Sequence, residues 1–135
     1  MTTAVRAIVP DTHADLLTKP AFAHLATVGP DGAPQVTPMW FGWNGNDLLF
    51  STLKTRRKYA NARRDPRVTV SITDPDNPYR YLQITGEAVL EDDVSAELVT
   101  ELVQKYLGDG IYPWDEAGAD RVTIRVRCRK VCAFG

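Results

Sequence analysis

The sequence predicts a mainly β protein: about six antiparallel strands, closed or partly closed into a small barrel, with three short helices. Three observations lead there. Apolar or alternating runs are joined by strong hairpin signals, Gly29-Pro30-Asp31-Gly32 and Asn44-Gly45-Asn46. Helical periodicity is confined to three short stretches. The length, 135 residues at 44% hydrophobic, suits one domain, residues 1–135, with a real core.

Asp11 to Thr18 reads as a short helix after Pro10, with Leu16 and Leu17 apolar and Lys19-Pro20 as its stop. Phe22 to Val28 (FAHLATV) reads as a strand. Pro34 to Trp43 (PQVTPMWFGW) reads as a second. Its alternation puts Val36, Pro38, Trp40 and Gly42 on one face and Gln35, Thr37, Met39, Phe41 and Trp43 on the other. Neither face is plainly polar, so both are expected to be covered, one by a ligand or a second subunit. Pro38 cannot donate to a ladder and belongs at an edge, a bulge or a ligand contact, with the bulge ranked ahead of the ligand.

Asp47 to Thr52 is the third strand, and Thr55 to Arg64 a helix with Tyr59, Ala62 and Arg63 at core-facing spacing. Arg67 to Thr73 alternates cleanly. After the loop Asp74 to Pro78, Tyr79 to Leu90 is a long strand in which Gly86 marks a bulge or bend. Val94 to Leu107 carries a helical stripe of Leu98, Val99, Leu102, Val103 and Tyr106, with Asp92 or Asp93 to cap it and Gly108 to end it. A loop follows from Gly110 to Ala119. Arg121 to Val131 is the last strand, with Val122, Ile124, Val126 and Cys128 inward and Arg121, Arg125, Arg127 and Arg129 outward.

A net charge of −1 argues against a general nucleic-acid or membrane-surface binder. The N-terminal MTTAVRAIVPD holds no apolar run of signal-peptide length, and nothing approaches a membrane span, so a cytoplasmic protein is expected. Cys128 and Cys132 would share a face if their segment is one unbroken strand, too far apart to bridge easily. They form no zinc constellation.

The basic residues cluster. Lys54 to Arg67 holds seven (Lys54, Arg56, Arg57, Lys58, Arg63, Arg64, Arg67) against one acid, Asp65. Such a run is either a solvated helix face or a discrete anion site. A strand ending in Ser51-Thr52 that feeds a basic helix start is a sound design for a phosphate, because the first-turn N–H groups lack partners and the helix dipole favours an anion.

Four segments in register resemble a known superfamily: ATVGPDGAPQVTPMWF, LLFSTLKTRRKYANARRDPRV, YLQITGEA and RVTIRVRCRKV. Together they are similar to the FMN-binding split-barrel proteins, the pyridoxamine 5′-phosphate oxidase-like superfamily. Within it the chain most resembles the F420-dependent (deazaflavin) oxidoreductases. The resemblance covers nearly the whole chain. It implies a six-stranded antiparallel split β-barrel and a homodimer with sites at the subunit interface. Ser51, Thr52, Thr55, Arg56, Arg57 and Lys58 would bind the cofactor phosphate, and Asn61 would brace the loop. Gln35, Val36, Thr37, Pro38, Met39 and Trp40 would contact the ring. Tyr79 and Tyr81 would reach in from the other subunit, and the Trp114 loop would border the substrate pocket. Ordinary packing remains the alternative for Tyr79, Tyr81, Trp40, Trp43 and Trp114.

The implied activity is an F420-dependent oxidoreductase passing a hydride between the deazaflavin and a small conjugated organic acceptor. FMN is the alternative cofactor, and a non-catalytic flavin or deazaflavin binder the alternative function. No catalytic acid or base is assigned; His13 and His24 stand alone.

Overall fold

The computed structural model describes residues 8–110, 112 and 119–135. Its core is one curled antiparallel sheet of seven strands in the order β2-β1-β5-β6-β7-β4-β3. The strands are β1 (Ala23–Val28), β2 (Pro34–Met39), β3 (Gly42–Trp43), β4 (Asp47–Leu53), β5 (Arg67–Asp74), β6 (Asn77–Asp92) and β7 (Arg121–Phe134). Two helices accompany them, α1 (Arg57–Arg64) and α2 (Glu97–Leu107), with a 3-10 helix at Asp11–Leu17. The architecture is the mainly β half-barrel that the sequence predicts.

The count is seven strands rather than six because the predicted second strand divides. Trp40 and Phe41 belong to neither β2 nor β3, and these two pieces end on opposite edges of the sheet. Pro38 therefore lies on an edge strand, opposite His24, in an unbroken register with β1. The expected bulge is not there; an edge already tolerates a residue without an N–H. Within this chain the Val36 face of β2 is open, Val36 being 59% exposed, which leaves it to the ligand or second subunit expected there.

Alternation fills the inside of the curl. Leu25, Phe50, Val70, Ile72, Leu82, Ile84, Ile124 and Val126 are fully buried, and Phe41 joins them. Gly86 sits where the β6–β7 register shifts, as its place in the sequence predicts. A Cβ there would stand 2.0 Å from the Arg127 carbonyl oxygen, so only glycine fits. The shift skips Arg129, which reverses the parity of the strand beyond it. Cys128 is buried opposite Gly86, while Cys132 is half-buried opposite exposed Gln83. The two thiols do not share a face.

α2 packs against the outside of the sheet. Leu98 and Leu102 approach Gly42 of the β3–β4 hairpin. The predicted stripe is the buried one, with Leu98, Val99, Leu102 and Val103 all covered. Asp93 accepts from the Glu97 and Leu98 amides, and Gly108 ends the helix at φ 85°. In α1 the buried residues are Asn61 and Ala62. Arg63, expected at the core, is exposed, because the short helix rests on β1 through a narrower face than its spacing suggested. Among the described residues no helix is long and apolar enough to cross a membrane.

Candidate functional site

A cleft of about 480 Å³ opens on the outside of the curl, between β2, the end of β4, the start of α1 and the side of α2. Its β2 wall is Thr37, Pro38 and Met39, continued by Trp40. Ser51, Thr52 and Leu53 come from β4, Arg56 and Lys58 from the α1 start, Val99 and Leu102 from α2. Phe22, Tyr112 and Arg121 complete it.

One end is cationic. Among the described residues no carboxylate pairs with Arg56, Arg57 or Lys58, although Lys54, Arg67, Arg80 and Arg125 all have such partners. Burial first, and the neighbouring Arg56 charge second, push the Lys58 ammonium below the ordinary lysine value. A bound anion would offset both. The α1 N-terminus is open as well. Arg56 occupies the cap position without a capping side-chain bond, and no acid stands in the first turn. A helix start with free donors, flanked by two cations, is suited to an anion.

The helix carrying that start is fixed from behind. Asn61 donates through Nδ2 to Thr27 Oγ1 (3.0 Å), and Thr27 donates on to Gln35 Oε1 (3.1 Å). Arg64 donates to the Val28 carbonyl (2.7 Å) and to Asn61 Oδ1 (3.2 Å). The chain of bonds links α1 to β1 and then to the cleft strand β2.

The other end is aromatic and apolar. Trp40 stacks on Tyr106 with centroids 5.0 Å apart and planes 6° apart, and meets Tyr112 edge-on at 6.0 Å. The Arg121 guanidinium lies 4.7 Å from the Tyr112 ring centre, and its Nη1 donates to Ser51 Oγ at 3.4 Å. On β2, Thr37 Oγ1 is buried without a hydrogen-bond partner.

Of the residues expected at the cofactor, Thr37, Pro38, Met39, Trp40, Ser51, Thr52, Arg56 and Lys58 line this cleft. Gln35, Val36, Thr55 and Arg57 do not. Gln35 instead closes the bond chain just described, and Val36, Thr55 and Arg57 are exposed. Tyr79 and Tyr81 are also away from it. Tyr79 is 84% exposed, and Tyr81 stacks on Phe134 at 4.6 Å. Trp114 lies outside the described residues. Sequence reasoning missed Phe22, Leu53, Val99, Leu102, Tyr112 and Arg121. Arg121 was expected outward, yet it is 7% exposed, because the outer face of β7 at this point forms the cleft's floor beside Leu53. Leu53, apolar on an outward-facing position, was the available signal.

Comparison with known proteins adds three findings. The family pattern described as pyridoxamine 5′-phosphate oxidase matches residues 9–133. A solved structure of an F420 reductase is similar at 42% identity, covering 92% of this chain and 98% of its own, with a TM-score of 0.83. The conserved hypothetical protein Rv2991 of Mycobacterium tuberculosis is similar at 26% identity, covering 99% of this chain and 89% of its own, with a TM-score of 0.77.

Proposed function

The chain belongs to the pyridoxamine 5′-phosphate oxidase family, and on that premise we propose that it is an oxidoreductase holding a phosphate-bearing, flavin-type cofactor in the cleft. The cofactor we assign is F420, with transfer of a hydride to a small conjugated organic acceptor; FMN is the second reading. The observation that carries the proposal is the joining of an uncapped helix start and unpaired Arg56 and Lys58 on one wall of a cleft. The likeness to an F420 reductase supports the choice of deazaflavin. So does a second basic concavity beside α1, lined by Lys54, Arg63 and Arg64, which suits a longer anionic ligand.

The residues fit such a group. Arg56 offers forked donors to a phosphate, Lys58 a point charge, and the α1 start its free amides. Ser51 and Thr52 add hydroxyls at the strand end. Thr37 Oγ1, buried and unsatisfied, is suited to a polar ring edge. When bound, the cofactor supplies the hydride chemistry; the chain binds it, orients it and excludes water. Among the described lining residues there is no carboxylate and no histidine, so no protein acid is assigned. A cytoplasmic homodimer is part of the same reading, with Tyr79 and Tyr81 serving the site of the second copy.

Titration of the purified, cofactor-free protein with F420 and with FMN, followed by fluorescence, tests this. We expect tight F420 and weaker FMN binding. Lys58→Ala should weaken the bound form by about 1.5–3 kcal/mol, the usual worth of a charge-assisted bond. Tighter FMN binding would move the protein to the flavin reading. Binding of neither, or an unaffected Lys58→Ala, would overturn the anchor.

A further inference from the structure

The chain has five lysines, and four of them are accounted for by their surroundings. Lys19 and Lys54 are tied to carboxylates, Asp74 at 3.3 Å and Asp92 at 2.9 Å. Lys105 spends its Nζ on the Phe41 carbonyl at 2.7 Å, beside the bond from the Phe41 amide to Tyr106 Oη at 3.1 Å. Lys130 is exposed on β7. Lys58 differs from all four. It is half-buried, it lines the 480 Å³ cleft, and no carboxylate among the described residues pairs with it. The same cleft brings Arg56 and the hydroxyls of Ser51 and Thr52 to its lining.

We propose that Lys58 is a nucleophile that captures a phosphate-bearing aldehyde as a reversible imine, with Arg56 holding the phosphate. An ordinary lysine is protonated at neutral pH and has no electron pair to give. Burial first, and the Arg56 charge second, lower the Lys58 ammonium and so raise its share of free amine. Desolvation and a neighbouring cation are two usual means of activating a lysine towards a carbonyl carbon. The other ionisable side chains on the described lining are Arg56, Arg121 and Tyr112, with no carboxylate to favour the ammonium. In the step itself the amine pair forms the C–N bond. A proton passes from nitrogen to the carbonyl oxygen, the C–O bond breaks, and the oxygen leaves as water. Nothing is oxidised or reduced, and hydrolysis reverses it. The phosphate selects the ligand: drawn to Arg56, it brings the aldehyde to the amine at high effective concentration. The proposal uses the cationic end of the cleft but not the redox chemistry. Aldehyde and cofactor would each place a phosphate on this wall, so they should exclude one another.

The test is reductive trapping with sodium cyanoborohydride on the purified, cofactor-free protein. Glycolaldehyde phosphate is the probe, glycolaldehyde the comparison, and peptide mass mapping locates the adduct. The probe should label Lys58 at least tenfold faster than any other lysine, and at least tenfold faster than glycolaldehyde labels Lys58. Excess inorganic phosphate should slow that labelling at least threefold. Lys58→Arg keeps the charge and should leave only the slow labelling of the other four lysines. Should that variant fail to fold, the mapping on the unaltered protein decides by itself. Labels spread evenly over the five lysines, equal rates for the two aldehydes, or indifference to phosphate would each overturn the proposal. The F420 and FMN titration is a separate arm. Cofactor binding without labelling at Lys58 would overturn the imine alone. Labelling at Lys58 without cofactor binding would support the imine and overturn the cofactor reading.

Discussion

Asn61 on α1 meets Thr27 on β1 at 3.0 Å through a bond buried at both ends, 1% exposed on either side. Thr27 uses its own proton on Gln35, so the three side chains form a directed chain, and the acceptor left over, Asn61 Oδ1, receives a bond from Arg64. Asn61→Ala removes the first of the three. The expected loss is about 1–3 kcal/mol in urea unfolding, the cost of leaving buried polar groups unpaired. Affinity for F420 or FMN should fall as well, although Asn61 does not line the cleft. A stable variant with unchanged affinity would separate α1's footing from its anion site.

Thr37 carries the opposite imbalance. Its Oγ1 is buried and unpartnered. Thr37→Val keeps the shape and discards the unsatisfied hydroxyl. The cofactor-free protein should therefore gain up to about 1 kcal/mol. Cofactor affinity should drop about three- to tenfold if the hydroxyl is reserved for the ligand. Calorimetry without ligand, set beside a binding titration, reads both signs at once.

Acid stability should follow one cluster. Arg80 donates to Asp15 (2.5 Å) and Asp74 (2.8 Å), and Lys19 bridges the same two carboxylates at 3.3 Å each. The Arg80 bond leads in holding Asp15 well below the usual carboxylate range. Asp74 is also lowered, first by the Asp76 amide and then by Arg80. Depressed carboxylates stabilise the fold fully above an ordinary value near pH 4, and the contribution goes as pH falls below it. The melting midpoint should decline steeply between about pH 4 and 2. Arg80→Met should lower the midpoint at neutral pH and flatten that decline.

Lys105 gives the alkaline counterpart. Folded, it titrates near 8; unfolded, near 10.5. Between those values the unfolded chain binds more protons, so stability rises with pH across the window. Lys58 is shifted the same way, so the useful quantity is a difference. Urea unfolding at pH 7.5 and 9.5 should show a gain in the unaltered protein that is smaller in Lys105→Met. An equal gain in both would mean Lys105 titrates like a surface lysine.

Local pattern exposed much of this architecture. Alternation in Arg67 to Thr73 and the hairpin residues gave the sheet, and the basic run after Ser51-Thr52 located Arg56 and Lys58. Period-two reasoning assigns a residue to a face but not what covers that face. Arg121 was therefore invisible as a cleft residue, and Leu53 hinted at the cleft only by being apolar on an outward position. The stripe on α2 announced burial, yet nothing local told Val99 and Leu102, at a cavity, from Val103, packed tight. The division at Trp40-Phe41 escaped for the same reason. Its compensating partners, Lys105 and Tyr106, lie 64 and 65 residues away.

The edge position of β2 carries a hazard that the two prolines limit. An open strand edge invites pairing with another chain, the first step in fibre growth. Pro34 and Pro38 share parity on β2, and proline fits a ladder only where its nitrogen turns away from the neighbouring strand. Along that outward rim only Val36 keeps a donor between them. An incoming strand would find its rungs missing at alternate steps, so the rim that stays free for a small molecule is poor material for self-templating.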